Sequence, residues 1–207
     1  MTPPTTASSP QVAVAAFDFD GTLTTADTFV RFIAWRRSRL ALCADFVLTL
    51  PSLALYATGI AGNERHKMSL FARQFAGMPV GDFRARAREF ARTQIPPLVR
   101  PEALRRLRDH QRRGHRTVIV TASPIDWIAP WAEAEGIAAV LGSAAEVRHG
   151  RMTGQLDGPN CYGQEKVRRL LAHYPERSRY KLFAFGDGRG DRELLAAADE
   201  GFFRRFS

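Results

Sequence analysis

Residues 12 to 22, VAVAAFDFDGT, limit most tightly what this chain can fold into. Val12 to Phe17 is a continuous apolar run rich in Val and Ala, closed by a glycine turn. A short run without polar alternation is the pattern of a strand buried on both faces, as in parallel sheets covered by helices. It delivers Asp18 and Asp20 at its carboxyl end, the edge where an open α/β sheet places its chemistry. Side chains two apart on an extended chain share a side, so both carboxylates face one space before Gly21 turns the backbone. Two carboxylates in one small site repel unless a cation or a shared proton relieves them, which points to a divalent metal. Taken alone, DFDG also fits a polar strand exit and turn, because Asp and Gly are common turn residues. The rest of the chain decides between these readings.

Downstream, residues 24 to 100 carry helical patterns almost free of strand signals. Thr25 or Asp27 can cap a helix through FVRFIAWRRSRL, and Asn63 or Glu64 can begin another that ends before Gly77 and Pro79. Val80 to Gln94 sets Phe83, Ala87, Phe90 and Ala91 against arginines until Pro96 and Pro97 stop it. The α/β pattern then resumes. A helix is expected over Pro101–Arg113, a strand over Arg116–Val120, a helix from Pro124 to Gly136 kinked near Pro130, and a strand over Ile137–Leu141. EVRHGRMTGQL reads as a hairpin turning at His149-Gly150. Cys161–His173 reads as a helix with Arg168 and Arg169 outward; Lys181–Phe185 is the last strong strand, and GFFRRF adds an edge strand after the helix RELLAAAD. Strands alternating with helices give a parallel sheet with right-handed crossovers. The expected organisation is therefore a flexible leader over 1 to 11, an α/β core over 12 to 23 and 101 to 207, and a helical insertion over 24 to 100.

Composition narrows the partners. The leader MTPPTTASSPQ lacks the basic start and apolar middle of a secretory signal, so the chain is expected to stay inside the cell. Cys43 and Cys161 match no metal spacing and give no support to a disulfide framework, so each reads as a small buried or half-buried hydrophobe. A net charge of +9 favours anionic partners such as phosphates or acidic lipid headgroups. Nucleic acid is not expected, because no stretch interleaves aromatic and basic residues and no binding-module signature is present. The runs RRSR (36 to 39) and RARAREFAR (84 to 92) fit solvated helix faces.

Three strands end in polar loops: at Asp18 and Asp20, at Thr121, and at Asp187 and Asp191. In a parallel sheet these ends lie on one edge, and Lys166, near a helix start, can join them. Four ordered motifs, DFDGT (18 to 22), VTAS (120 to 123), GQEKV (163 to 167) and GDGRGD (186 to 191), resemble those of phosphatases of the haloacid dehalogenase superfamily. The similarity is to the branch resembling phosphoserine phosphatases, whose cap follows the first motif. It implies an α/β fold with a Rossmann-like parallel sheet core and an inserted all-helical cap.

The resemblance further implies a phosphomonoester hydrolase acting through an aspartyl-phosphate. Asp18 would attack phosphorus, which a carboxylate can do because it is ionised at neutral pH without a base. Asp20 would protonate the leaving oxygen and later take a proton from water, a task that needs a raised pKa. Thr121 and Lys166 complete the catalytic group, and Gly21, Thr22, Thr121, Ala122 and Lys166 would bind the phosphoryl oxygens. Mg²⁺ would be held by Asp18, the backbone carbonyl of Asp20 and Asp187, with Asp191 as a further acidic ligand or as the residue that orients Asp187 or a metal-bound water.

The cap would choose the substrate by closing over the site and excluding water. Asp27 falls in the region of the acidic substrate-binding residue of phosphoserine phosphatases, but TLTTAD departs from their pattern. Residues 46 to 62, FVLTLPSLALYATGIAG, carry no charge and are flanked by Arg36, Arg37 and Arg39 and by Arg65, His66 and Lys67. The segment fits a buried cap helix, an interfacial segment on acidic lipid, or a membrane span interrupted by Pro51. Its placement is similar to that in bacterial phosphatidylglycerophosphate phosphatases of the same superfamily. The expected substrate is therefore a small phosphate ester such as phosphoserine or a lipid-linked phosphate, with peripheral contact at the inner face of the membrane as one consequence. A different class is a non-catalytic basic protein that binds anionic surfaces.

Overall fold

The computed structural model describes residues 12–35 and 63–206, excluding the side chains of 63–67. The expected leader, the RRSR run, Cys43 and the uncharged stretch 46 to 62 with its basic flanks lie outside what is described. Five parallel strands form the core, in the order β3 (Ala139–Ser143), β2 (Arg116–Pro124), β1 (Ala13–Phe17), β6 (Lys181–Gly186) and β7 (Glu200–Phe203). The apolar run reads as expected: β1 is central and all five of its residues are buried. Phe17 pairs in register with Ile119 on one side and Phe185 on the other. Asp18, the end of β2 and the Gly186–Asp187 exit therefore emerge side by side.

Between β1 and β2 stand α1 (Thr28–Ala34), α2 (Asn63–Phe75) and α3 (Val80–Thr93). Asp27 caps α1 by accepting from the Val30 amide at 3.2 Å. The chain enters and leaves this insertion through one paired stalk, in which Thr25 N donates to Leu98 O and Arg100 N to Leu23 O, each at 2.8 Å. Its aromatic side chains do not form a separate core. Phe32 packs on Phe75, Phe83 and Phe90 and stacks at 4.5 Å on Trp127 from just beyond β2. The same buried cluster continues through Phe19 and Leu23 to Phe17 and Phe185 on the sheet.

The remaining elements are α4 (Pro101–Arg112), α5 (Ala129–Ala134), the antiparallel pair β4 (Ala145–Arg148) and β5 (Arg151–Leu156), α6 (Gln164–His173) and α7 (Arg192–Ala197). The hairpin turns at His149 and Gly150, both at positive φ. It is fastened to the α2–α3 turn by Gly77 N to Met152 O at 2.8 Å, Met152 N to Met78 O at 2.9 Å and Val80 N to Gly150 O at 2.9 Å. Gly154, at φ 83°, lies so close to Ala72 of α2 that a side chain there would collide with its backbone. Gly154→Ala is expected to cost about 2–4 kcal/mol, from left-handed strain plus overpacking. A drop in the urea midpoint at unchanged slope would show it.

Several boundaries move for local reasons. Pro130 stands in the first turn of α5, which begins at Ala129 after a short turn over Ile125–Trp127, so it helps start a helix rather than kinking one. Gly136 and Ile137 still bond back to Glu133 and Ala132, which delays β3 to Ala139. Gly163, at φ 59°, makes α6 begin at Gln164 and leaves Cys161 buried in the preceding loop, its thiol pushed up to about 11 by desolvation. Arg169, expected to face outward, instead runs under that loop and donates to Gly142 O and Pro159 O.

Candidate active site

The turn after β1 is shaped by Gly21 at φ 87°, where a side chain would strike the Asp187 carboxylate. Asp18 anchors to the sheet through its amide, which donates to Phe185 O at 2.9 Å. Lys166 extends from the first turn of α6, and its Nζ lies 2.6 Å from Asp18 Oδ1 and 2.6 Å from Asp191 Oδ1. All three residues are buried. Burial opposes the lysine charge, but Asp18 and Asp191 outweigh it and hold Lys166 above the ordinary lysine range. Burial pushes Asp18 up to about 7, with Lys166 pulling down and the Asp191 charge adding to the rise.

Asp191 has a second task. Its Oδ2 accepts from the amides of Asp187 at 3.1 Å and Gly188 at 2.9 Å, closing the GDGRGD loop on itself. Asp187 is thereby turned toward Asp18, and Thr22 Oγ1 donates to its Oδ1 at 3.3 Å. Desolvation raises the pKa of Asp187, and the charge of Asp191 adds to the rise. Among the described residues, Asp18, Asp187 and Asp191 offer carboxylate oxygens within 4.8 Å of one another. Such an all-oxygen cluster of mutually repelling carboxylates fits a hard divalent cation such as Mg²⁺. Both Asp191 oxygens are already engaged, so that residue fits better as the brace of Asp187 than as a ligand.

Asp20 points elsewhere. Its Oδ2 accepts from Ser123 Oγ at 2.5 Å and its Oδ1 from the Thr28 amide at 2.7 Å, so its carboxylate stands apart from the cluster of Asp18, Asp187 and Asp191. Burial raises its pKa, the nearby Asp27 charge adds to the rise, and the two hydrogen bonds oppose it. Thr121 is buried, and its hydroxyl accepts from the Ser123 amide at 3.1 Å.

Asp18, Asp20, Thr121, Ala122, Lys166, Asp187 and Asp191 all line one cavity of about 690 Å³. Gly21 and Thr22 do not; they line a cleft on the far side of Asp187, beside Phe202 and Arg204, and Thr22 serves Asp187. Asp27, Phe29, Met68, Leu156 and Tyr162 line the same large cavity as the carboxylates. Sequence reasoning gave Ser123 no role of its own, although it closes the motif VTAS and stands two residues after Thr121 at the end of a strand, on the same side by period-2 alternation. It also missed Tyr162, whose half-exposed ring lies against Gly190. Its only sequence signal is an aromatic residue just before GQEKV.

Known proteins share this arrangement of elements. Protein CicA of Caulobacter vibrioides is 39% identical over 196 residues, 93% of this chain and 86% of that protein. The crystal structure of a protein of unknown function from Bordetella pertussis Tohama I superposes with a TM-score of 0.72 at 25% identity, over 90% of this chain and 87% of that one. A phosphoserine phosphatase bearing an analogue of its phospho-aspartyl intermediate superposes with a TM-score of 0.62 at 18% identity, over 93% and 85% of the two chains, a likeness of fold. The family model for haloacid dehalogenase-like hydrolases matches residues 15–196, from within β1 to within α7. With the match running from the first carboxylate to the last, and with a relative this similar over nearly the whole length, the chain belongs to the haloacid dehalogenase-like hydrolases.

Proposed function

We propose that the chain is a Mg²⁺-dependent phosphomonoester hydrolase that works through an aspartyl-phosphate on Asp18. The observation that carries this reading is the pairing of a buried Asp18–Lys166 contact of 2.6 Å with a second carboxylate, Asp20, held apart from it in the same cavity. One carboxylate is kept beside a fixed cation, and the other is kept where burial favours its protonated form.

In the first step an Asp18 oxygen bonds to phosphorus while the ester P–O bond breaks, and the leaving oxygen takes the proton of Asp20. In the second, Asp20 takes a proton from water as the water oxygen bonds to phosphorus and the Asp18–phosphorus bond breaks. Thr121, whose hydroxyl hydrogen remains available while its oxygen accepts from Ser123 N, and Lys166 hold the phosphoryl oxygens. Asp18, the Asp20 carbonyl and Asp187 would hold the metal, which offsets the repulsion between nucleophile and phosphate.

The inserted helices serve as the cap in this reading, with domain limits at 24 and 100 supported by the paired stalk at Leu23–Thr25 and Leu98–Arg100. Phe29 and Met68 from the insertion, with Leu156 and Tyr162, give the cavity an apolar part of its lining. That part supports an ester with an apolar leaving group, including a lipid-linked phosphate, over phosphoserine. No helix among the described residues is long and apolar enough to cross a membrane.

Phosphate release from para-nitrophenyl phosphate tests the reaction class. Turnover is expected with Mg²⁺, a fall of at least about a hundredfold in a chelator, and recovery on adding Mg²⁺ back. Full activity in the chelator would overturn the metal assignment. Phosphoserine and a lipid phosphate in detergent, compared by kcat/KM, then separate the substrate classes.

A further inference from the structure

Both carboxyl oxygens of Asp20 are held, and by groups other than Lys166 and the loop 187–191. Its Oδ2 takes the hydroxyl of Ser123 and its Oδ1 the amide of Thr28, the first residue of α1. Both partners are themselves fixed. Ser123 is buried, its amide is bound by Thr121 Oγ1, and its stretch of β2 packs so tightly on Gly142 that a side chain there would meet Thr121 and the Ser123 carbonyl. Thr28 is fully buried, and its hydroxyl accepts from Trp127 Nε1 at 3.2 Å.

We infer that Ser123 is a positioning residue: with the Thr28 amide it fixes the carboxyl of Asp20 in the one orientation that delivers a proton to the leaving oxygen. The inference rests on the hydrolase reading above, in which Asp20 is the proton donor. The carboxyl of an aspartate turns about its Cα–Cβ and Cβ–Cγ bonds unless both oxygens are claimed, and an acid displaced by an ångström is a poor donor. As the ester bond breaks, the proton passes from Asp20 to the leaving oxygen, and the carboxylate left behind is received by the Ser123 O–H and the Thr28 N–H. Because Ser123 also holds Thr121 through its amide, one residue of β2 aligns the phosphoryl holder with the proton donor. Through Thr28, the first helix of the insertion shares in setting the donor.

The test varies the leaving group. An alkoxide needs the proton of Asp20 to depart, whereas nitrophenolate carries its own charge. Ser123→Ala is expected to lower kcat/KM on ethyl phosphate, which reports the steps up to departure of the leaving group, roughly ten- to a hundredfold, part of what a general acid contributes. On para-nitrophenyl phosphate kcat/KM should fall by no more than about threefold, while kcat on either ester also carries the later step in which Asp20 takes a proton from water. Ser123→Thr, which keeps the hydroxyl, should recover most of the ethyl phosphate rate, and thermal melts should show all three proteins folded. An equal loss of kcat/KM on both esters would assign Ser123 a general structural role and overturn the inference, as would an unchanged kcat/KM on ethyl phosphate in Ser123→Ala or no recovery in a folded Ser123→Thr. If the wild-type protein releases phosphate from neither ester, the hydrolase reading fails and takes this inference with it.

Discussion

Asp18→Asn is expected to abolish phosphate release, lowering kcat by at least about 10⁴-fold, as loss of a covalent nucleophile does elsewhere. The amide keeps the shape of the side chain but offers no nucleophilic oxygen. It also removes one of the charges that Lys166 faces at 2.6 Å, leaving the lysine paired with Asp191 alone. The fold should tolerate this, because the lost ion pair is offset by no longer having to bury the Asp18 charge. Melting within a few degrees of wild type, together with undetectable turnover, would place the covalent step at Asp18. A variant retaining a tenth of wild-type activity would move the nucleophile elsewhere. Beryllofluoride, which binds an aspartate as a phosphoryl group would, gives an independent reading: it should raise the melting temperature of wild type in Mg²⁺ and leave that of Asp18→Asn unmoved. A basic protein that merely bound anionic surfaces would bind them equally well in both forms.

Which parts of this site were legible in the sequence follows from the range of the interactions that set them. Asp18 and Asp20 announce themselves because a buried strand and a glycine turn are local patterns, and one register then brings Phe17 beside Ile119 and Phe185. Lys166 and Asp187 were legible only as members of ordered motifs, since a lone lysine or a lone turn aspartate carries little information. Ser123 stayed hidden because a serine at a strand end is ordinary, and its partner Asp20 lies 103 residues away. Arg169 was misread because helical periodicity sees only its own helix; the two carbonyls it binds belong to the end of β3 and the loop before α6. Whether Asp191 ligates or braces depends on how the loop 187–191 folds back on itself, which its composition leaves open. The two carboxylates of that loop share a spacing and a chemistry, and only the amide hydrogen bonds to Asp191 distinguish them.

The second large effect concerns the cation those carboxylates share. Lys166→Met keeps the length and apolar stem of the side chain but leaves Asp18 and Asp191 buried without their positive partner. Turnover should fall by at least about 10³-fold, because charge developing on phosphorus loses a fixed counter-charge in a desolvated site. Stability should fall as well, by about 3–5 kcal/mol near neutral pH, the usual cost of breaking a buried pair from one side. The sign of the pH dependence separates this cause from poor packing. Without Lys166, burial and the neighbouring charges hold Asp18 above its unfolded pKa with nothing left to pull it down, so the folded state binds more protons than the unfolded one. Stability lost at high pH is then recovered as pH falls from the raised pKa of Asp18 toward its unfolded value, and the gap to wild type should be wide at about pH 7.5 and narrow at about pH 5. Adding Asp191→Asn to Lys166→Met removes one of the two stranded charges and should restore part of the stability while restoring none of the turnover. Urea midpoints of the single and double variants at the two pH values check both points. A gap that stays constant between them would mean that the lysine stem, and not its charge, is what the fold requires at this position.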